Sequence, residues 1–310
     1  MVSKINAPYN LKLFLAFFAI YIVWGSTFSM VAIALKTFPP LVLNTFRFLI
    51  GGSLLAVYCL YKKEPLPRIK DIGTYMISGI VIFLGGVVAI VWAQQYISSS
   101  LASVIITTPF WFIVLDKRNW KATLRSPYII AGMILSLSGV ITLLLNKQPH
   151  GEYAGKNSPV MAILVIIGGS FLWVAGSIYL KYKPGKDSVF VKTAIQLLSA
   201  AVFCGVLCLK DGSLFTLQLS RVSTASVLSL LYLAIVSTTI TFMAFIWLLQ
   251  QKPPSIVSTY SYINPVVAVL LGALLLHEKI IAIQVISMLI ILSGVFLINL
   301  PNYKLKKIKA

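Results

Sequence analysis

The sequence predicts an all-α integral membrane protein whose ten transmembrane helices form two inverted five-helix repeats. Three observations lead there. Of the 310 residues, 59% are hydrophobic and only 11% charged, with a mean hydropathy of +0.93, a balance that belongs to polytopic membrane proteins and not to soluble domains. The chain also divides into ten apolar segments, and residues of the first five recur in order among the last five.

The segments are 11–35, 41–61, 71–95, 99–116, 125–145, 159–181, 188–209, 223–250, 254–276 and 280–299, each bounded by charges, Gly/Pro or a shift in composition and each near the ~20 residues a bilayer-crossing helix needs. The first follows Lys4 and Lys12 like the core of a secretion signal, but it runs on to Leu35, too long for that role, and reads as a membrane helix. Segments 71–95 with 99–116, and 223–250 with 254–276, are joined by very short turns. The longest polar connection, 146–158, carries Pro149, Gly151 and Gly155 and separates the halves. The division is therefore a first repeat over 1–145, an outer connecting loop 146–158, a second repeat over 159–300 and a basic tail 301–310.

The recurrence is specific. Gln94-Gln95, Ser99 and the run Ser103 to Pro109 fall on Gln250-Gln251, Ser255 and Thr259 to Pro265 at a shift of 156 residues. With a one-residue gap, Ser136–Gly139 (SLSG) falls on Ile291–Gly294 (ILSG). Trp24 precedes Arg47 by 23 positions, and Trp173 precedes Gln196 by 23.

Basic residues set the expected orientation. With the N-terminus inside, the inner segments and termini hold eighteen Lys and Arg and the outer ones six, leaving Arg47 and Lys192 in or near membrane segments. This bias places both termini in the cytoplasm. Five helices per repeat is odd, so the repeats are inverted relative to one another, the architecture of carriers that rock around a central site.

Several functions are excluded. The net charge of +19 follows membrane topology and does not indicate nucleic-acid binding. Cys204 and Cys208 share a helix face but have no His or acidic residue beside them to make a metal site. With Cys59 they read as small apolar fillers. A lipid-modifying enzyme would need a nucleophile, an acid–base pair or a metal cluster; the two histidines and seven acidic residues are dispersed over loops and helix ends. There is no Walker A sequence, and no signalling domain that would suit a membrane scaffold or sensor. No catalytic residue, cofactor or metal is expected. The partners are a small-molecule substrate and the lipid bilayer, and nothing requires more than a monomer.

The candidate site residues are polar or aromatic groups inside apolar runs. Arg47 is a strong cation about six residues from the outer end of its segment, which marks it for function against a structural role tying backbone carbonyls. Trp24 and Trp173 lie near mid-helix, where an indole N–H needs a partner; Trp92 and Trp247, near helix ends, read as interfacial anchors. Tyr260 and Asn264 share a helix face just before Pro265. Thr107 and Thr108 stand before Pro109, where they either return hydrogen bonds to their own backbone or touch substrate. Gln196 takes the place of Arg47 in the second repeat. Pro109 and Pro265 are candidate hinges, because proline frees backbone groups that must find partners in a neighbour or a cavity. His277-Glu278-Lys279 reads as an interfacial charge cluster. None of the acids lies mid-span, so facilitated diffusion or exchange fits as well as proton antiport.

Trp24-Gly-Ser-Thr-Phe28, Pro39-Pro40 and Arg47-Phe48 resemble the first repeat of the EamA-type drug/metabolite transporters. Thr259 to Gly272, with His277-Glu278 beyond, is similar to that family's ninth helix. The likeness spans nearly the whole chain. It implies a ten-helix inner-membrane carrier of small metabolites, often an exporter of amino acids or related compounds, with a multidrug or hydrophobic-compound exporter as the alternative. One departure is Asp116-Lys-Arg-Asn119, where the family runs on through apolar residues to a Gly-Glu pair.

Overall fold

In hydrocarbon a backbone group has no water to bond, so an apolar run of this length satisfies itself as a helix. The computed structural model describes residues 7–106, 108–116, 118, 125–145, 159–182, 187–276 and 281–308, and among these it is helical without strands. The ten helices are α1 (Ala7–Phe18, a π-helical turn Ala19–Val23, Trp24–Ala34), α2 (Pro40–Tyr61), α3 (Ile69–Phe83, a π-helical turn Leu84–Val88, Ala89–Ala93), α4 (Ser99–Ile105 and Thr108–Leu115), α5 (Pro127–Leu145), α6 (Pro159–Tyr182), α7 (Val189–Asp211), α8 (Thr224–Tyr232, a π-helical stretch Leu233–Ile240, Thr241–Gln251), α9 (Pro254–Val257 and Tyr260–Leu276) and α10 (Ala282–Ile308). Within the described residues α1, α2, α3, α6, α7 and α8 are each long and apolar enough to cross a membrane, and the other four contribute shorter apolar stretches.

Local chemistry marks the helix ends. Pro40 opens α2 without losing a bond, since an N–H at that position has no intrahelical acceptor. Ser98 and Ser188 cap α4 and α7 by accepting the N–H of Leu101 and Val191. Gly212 ends α7 in the left-handed region, φ 72°, which a residue without Cβ enters at no steric cost. Two ends differ from expectation: α1 begins at Ala7, ahead of position 11, and α10 continues to Ile308, past position 299.

The packing is that of a pseudo-twofold. Three helices pack on their own counterparts, α2 on α7, α4 on α9 and α5 on α10; α1–α9 and α1–α8 contacts are answered by α6–α4 and α6–α3. The α5–α10 seam gives the register. Gly132 backs onto the Gly294 backbone, where a Cβ would clash, and a Cβ at Gly139 would sit 2.9 Å from the Ser287 carbonyl oxygen. Gly139 matches Gly294 and Gly132 matches Ser287, so the twofold exchanges these two contacts. The numbers in each pair sum to 426, so the matched helices run antiparallel and the repeats are inverted. Small residues at the crossing allow that approach.

The two proline-bearing helices differ. α4 breaks before Pro109, with Ile106 extended at ψ 104°. In α9 the interruption falls at Ser258–Thr259, and the helix continues through Pro265.

Candidate functional site

Where α1, α2, α3, α6, α8 and α9 meet, they enclose a cavity of about 90 Å³. A water takes about 10–15 Å³ in this measure, so the space holds roughly six to nine water-sized groups, the scale of a small metabolite. Its lining runs from Trp24 to Val31 along α1 and from Phe83 to Val91 along α3, reaching from mid-bundle toward the end opposite the basic 62–70 segment. Arg47 is its one charged side chain among the described residues.

Arg47 is 5% exposed. It donates from Nε to Thr238 Oγ1 at 2.5 Å and from Nη2 to Ser237 Oγ at 3.2 Å. Both hydroxyls belong to the π-helical stretch of α8. No carboxylate pairs with it among the described residues, so two neutral hydroxyls hold a charge that a low-dielectric site penalises.

The π segments explain how the other polar groups are placed. An i→i+5 turn shifts carbonyls out of the regular i→i+4 pairing, and side-chain donors reach them here. In α8, Thr239 Oγ1 caps the Ala234 carbonyl at 2.8 Å, Thr241 Oγ1 caps that of Val236 at 2.9 Å, and the Trp24 indole donates to that of Ser237 at 3.1 Å. In α1 the donor is Asn264. Its amide group faces the carbonyls of Tyr260, Ile20 and Tyr21 at 3.1, 3.0 and 2.8 Å, which assigns nitrogen to that side. In α3, Trp173 packs on Gly86, where a Cβ would collide with the indole. The Trp173 N–H is buried with no partner among the described residues.

An aromatic cluster lies against the cavity. Trp24 meets Tyr260 edge-on at 4.9 Å, Trp173 at 5.5 Å and Phe245 at 5.2 Å; Phe83 meets Phe242 at 4.7 Å. Toward the basic end the helices are tied together. Tyr21 and Thr259 hydroxyls lie 2.7 Å apart, Tyr75 donates to Asp187 at 2.7 Å, and Tyr182 donates to Asp116 at 2.5 Å with Arg118 over its ring. Lys181 donates to the carbonyls of Leu249 and Lys252.

Of the sequence candidates, Trp24, Arg47, Trp173, Tyr260 and Asn264 come together around the cavity. Gln196 does not line it: its amide donates to Ser78 Oγ at 3.2 Å, and its backbone lies against Gly79. Thr107 lies outside the described residues, as do His277-Glu278-Lys279, the 146–158 loop and the side chains of Thr108 and Pro109. Trp92 and Trp247 lie off the cavity beside Tyr96 and Tyr9. Sequence reasoning missed Ser237 and Thr238, Arg47's partners. The run Ser237-Thr-Thr-Ile-Thr241, polar inside an apolar segment, was the available signal.

The EamA-like transporter family model matches residues 11–145 and again 160–300. The chain is 30% identical over 294 residues to the inner membrane transporter YedA of Escherichia coli K12, covering 94% of this chain and 92% of that one. It is 24% identical over 284 residues to a probable amino-acid metabolite efflux pump of the same strain, covering 90% and 91%. A solved crystal structure, 17% identical, superposes with a TM-score of 0.69 over 94% of this chain and 98% of that one, a likeness of fold. The chain belongs to the EamA-like transporter family and is a membrane transporter, not an enzyme.

Proposed function

We propose that this protein is a secondary carrier that exports a small metabolite, an amino acid or related compound, across the cytoplasmic membrane by alternating access. The observation that carries the reading is the central cavity, built at the crossing of two inverted repeats, with a buried Arg47 and a lining that extends toward one end while contacts tie the helices at the other. Inverted repeats supply two equivalent packings of the same parts, which rocking needs. The relative named as an amino-acid metabolite efflux pump supports the substrate class and direction. The basic end is cytoplasmic, with both termini there and 146–158 outside, because Lys and Arg concentrate there. Pro109 and Pro265 act as hinges in α4 and α9. The repeats divide at the 146–158 loop, and the tail from 301 is cytoplasmic.

Three experiments test this. Purified protein in liposomes should exchange labelled solutes from a metabolite panel, and absence of flux for every member would remove the carrier reading. In a cysteine-free background, a cysteine at position 66 should resist an impermeant reagent applied to intact cells; labelling from outside reverses the orientation. Replacing either proline by alanine should slow flux more than it lowers expression, and unchanged flux in both variants removes the hinge role.

A further inference from the structure

We propose, building on the carrier reading, that the cavity takes its solute as a net monoanion: a carboxylate on Arg47, with an apolar and preferably aromatic body and no cationic group. The cavity wall carries N–H donors and a positive charge that no carboxylate answers among the described residues. A guanidinium carries five N–H donors, and Ser237 and Thr238 engage Nε and Nη2. The buried indole N–H of Trp173 is a further donor without a partner among the described residues. Two of the backbone carbonyl sites near the wall already meet donors. The Ser237 carbonyl takes the Trp24 indole, and the Ile20 and Tyr21 carbonyls of α1 face the Asn264 amide.

Charge points the same way. With no carboxylate in the lining among the described residues, a zwitterion would leave the site at a net positive charge and set its ammonium near a guanidinium. A monoanion cancels the charge, and its carboxylate matches the planar donor fork. The rest of the wall is aromatic and aliphatic, Trp24, Trp173 and Phe242 among its rings, which suits an uncharged body. The inference separates an amino acid from the acid left when its amine is removed.

The test compares three compounds of similar size: 3-phenylpropionate, L-phenylalanine and phenethylamine. Their binding to purified wild-type protein is read by calorimetry and by indole fluorescence. 3-Phenylpropionate should bind at least roughly tenfold tighter than L-phenylalanine, the scale of one charge-assisted hydrogen bond. Arg47→Gln should abolish the preference, and Arg47→Lys should keep part of it. If Arg47→Gln does not elute as a folded species, Arg47→Lys carries the test alone: it should narrow the preference for 3-phenylpropionate over L-phenylalanine, and an unchanged preference overturns the inference. Equal or tighter binding of L-phenylalanine or phenethylamine overturns the inference, as does binding of none of the three. The carrier reading is judged separately, by whether the wild type exchanges any solute of the panel.

Discussion

Trp24 and Trp173 hold matching places in the two repeats, yet their surroundings differ. Trp24 reaches a carbonyl of the π-helical stretch in α8, whereas Trp173 packs on the π-helical turn of α3 and bonds nothing among the described residues. The same contrast separates Arg47, on the cavity wall, from Gln196, set against Ser78 and Gly79. α1 carries a π turn and its counterpart α6 is α-helical throughout. Duplication supplied a symmetric frame, and the site arises where the two copies depart from it.

The largest expected effect breaks the contrast at its charged point. Arg47→Gln should weaken solute binding by about ten- to a hundredfold, as loss of a charge-assisted hydrogen bond costs ~1.5–3 kcal/mol, while the protein still inserts. Gln196→Leu, off the cavity, should leave affinity within about threefold, since only contacts made to the solute enter its binding energy. Titration of both variants measures the pair, and equal losses would make Arg47 structural.

Next comes Asn264→Leu, which removes the amide that faces the Ile20, Tyr21 and Tyr260 carbonyls. A loss of about 2 kcal/mol of stability is expected from such unsatisfied groups, read as a lower unfolding midpoint in detergent. An unchanged midpoint would mean that the π turn of α1 closes by itself.

A smaller effect sharpens the tryptophan comparison. Trp24→Phe removes a hydrogen bond and should destabilise by about 1 kcal/mol, whereas Trp173→Phe removes an unpaired donor and should be neutral within about 0.5 kcal/mol. If both lose equally, ring size and not the N–H decides.

The smallest effect is a control on packing. Gly168 on α6 has open space where a Cβ would go. Gly168→Ala should therefore hold or gain up to about 1 kcal/mol through helix propensity. At Gly86 the same methyl meets the Trp173 ring, and a loss of about 1–3 kcal/mol is expected.

Much of the fold was legible because its causes are local. Apolar length sets each span, and the SLSG/ILSG match with its one-residue gap anticipates the Gly132–Gly294 and Gly139–Ser287 contacts. The site was legible in part. Arg47, Trp24, Trp173, Tyr260 and Asn264 stood out as polar or aromatic groups in apolar runs. Ser237 and Thr238 did not, since hydroxyls are common in membrane helices and are usually satisfied by their own turn. Gln196 lies off the cavity because spacing in the chain fixes a helical level but not the direction a side chain faces.

By itself the sequence determined the ten helices, their pairing by repeat and the rarity of charge within them. Each follows from transfer energies and backbone hydrogen bonding over one span. Only the tertiary structure decided that α8 would wind as a π-helix opposite Arg47, that Asn264 would face the carbonyls of α1, and that the Trp173 N–H would meet no partner among the described residues. These depend on groups from helices up to 244 residues apart, as Ile20 and Asn264 are. A carbonyl freed in one helix is stable only when a donor on another helix arrives to meet it.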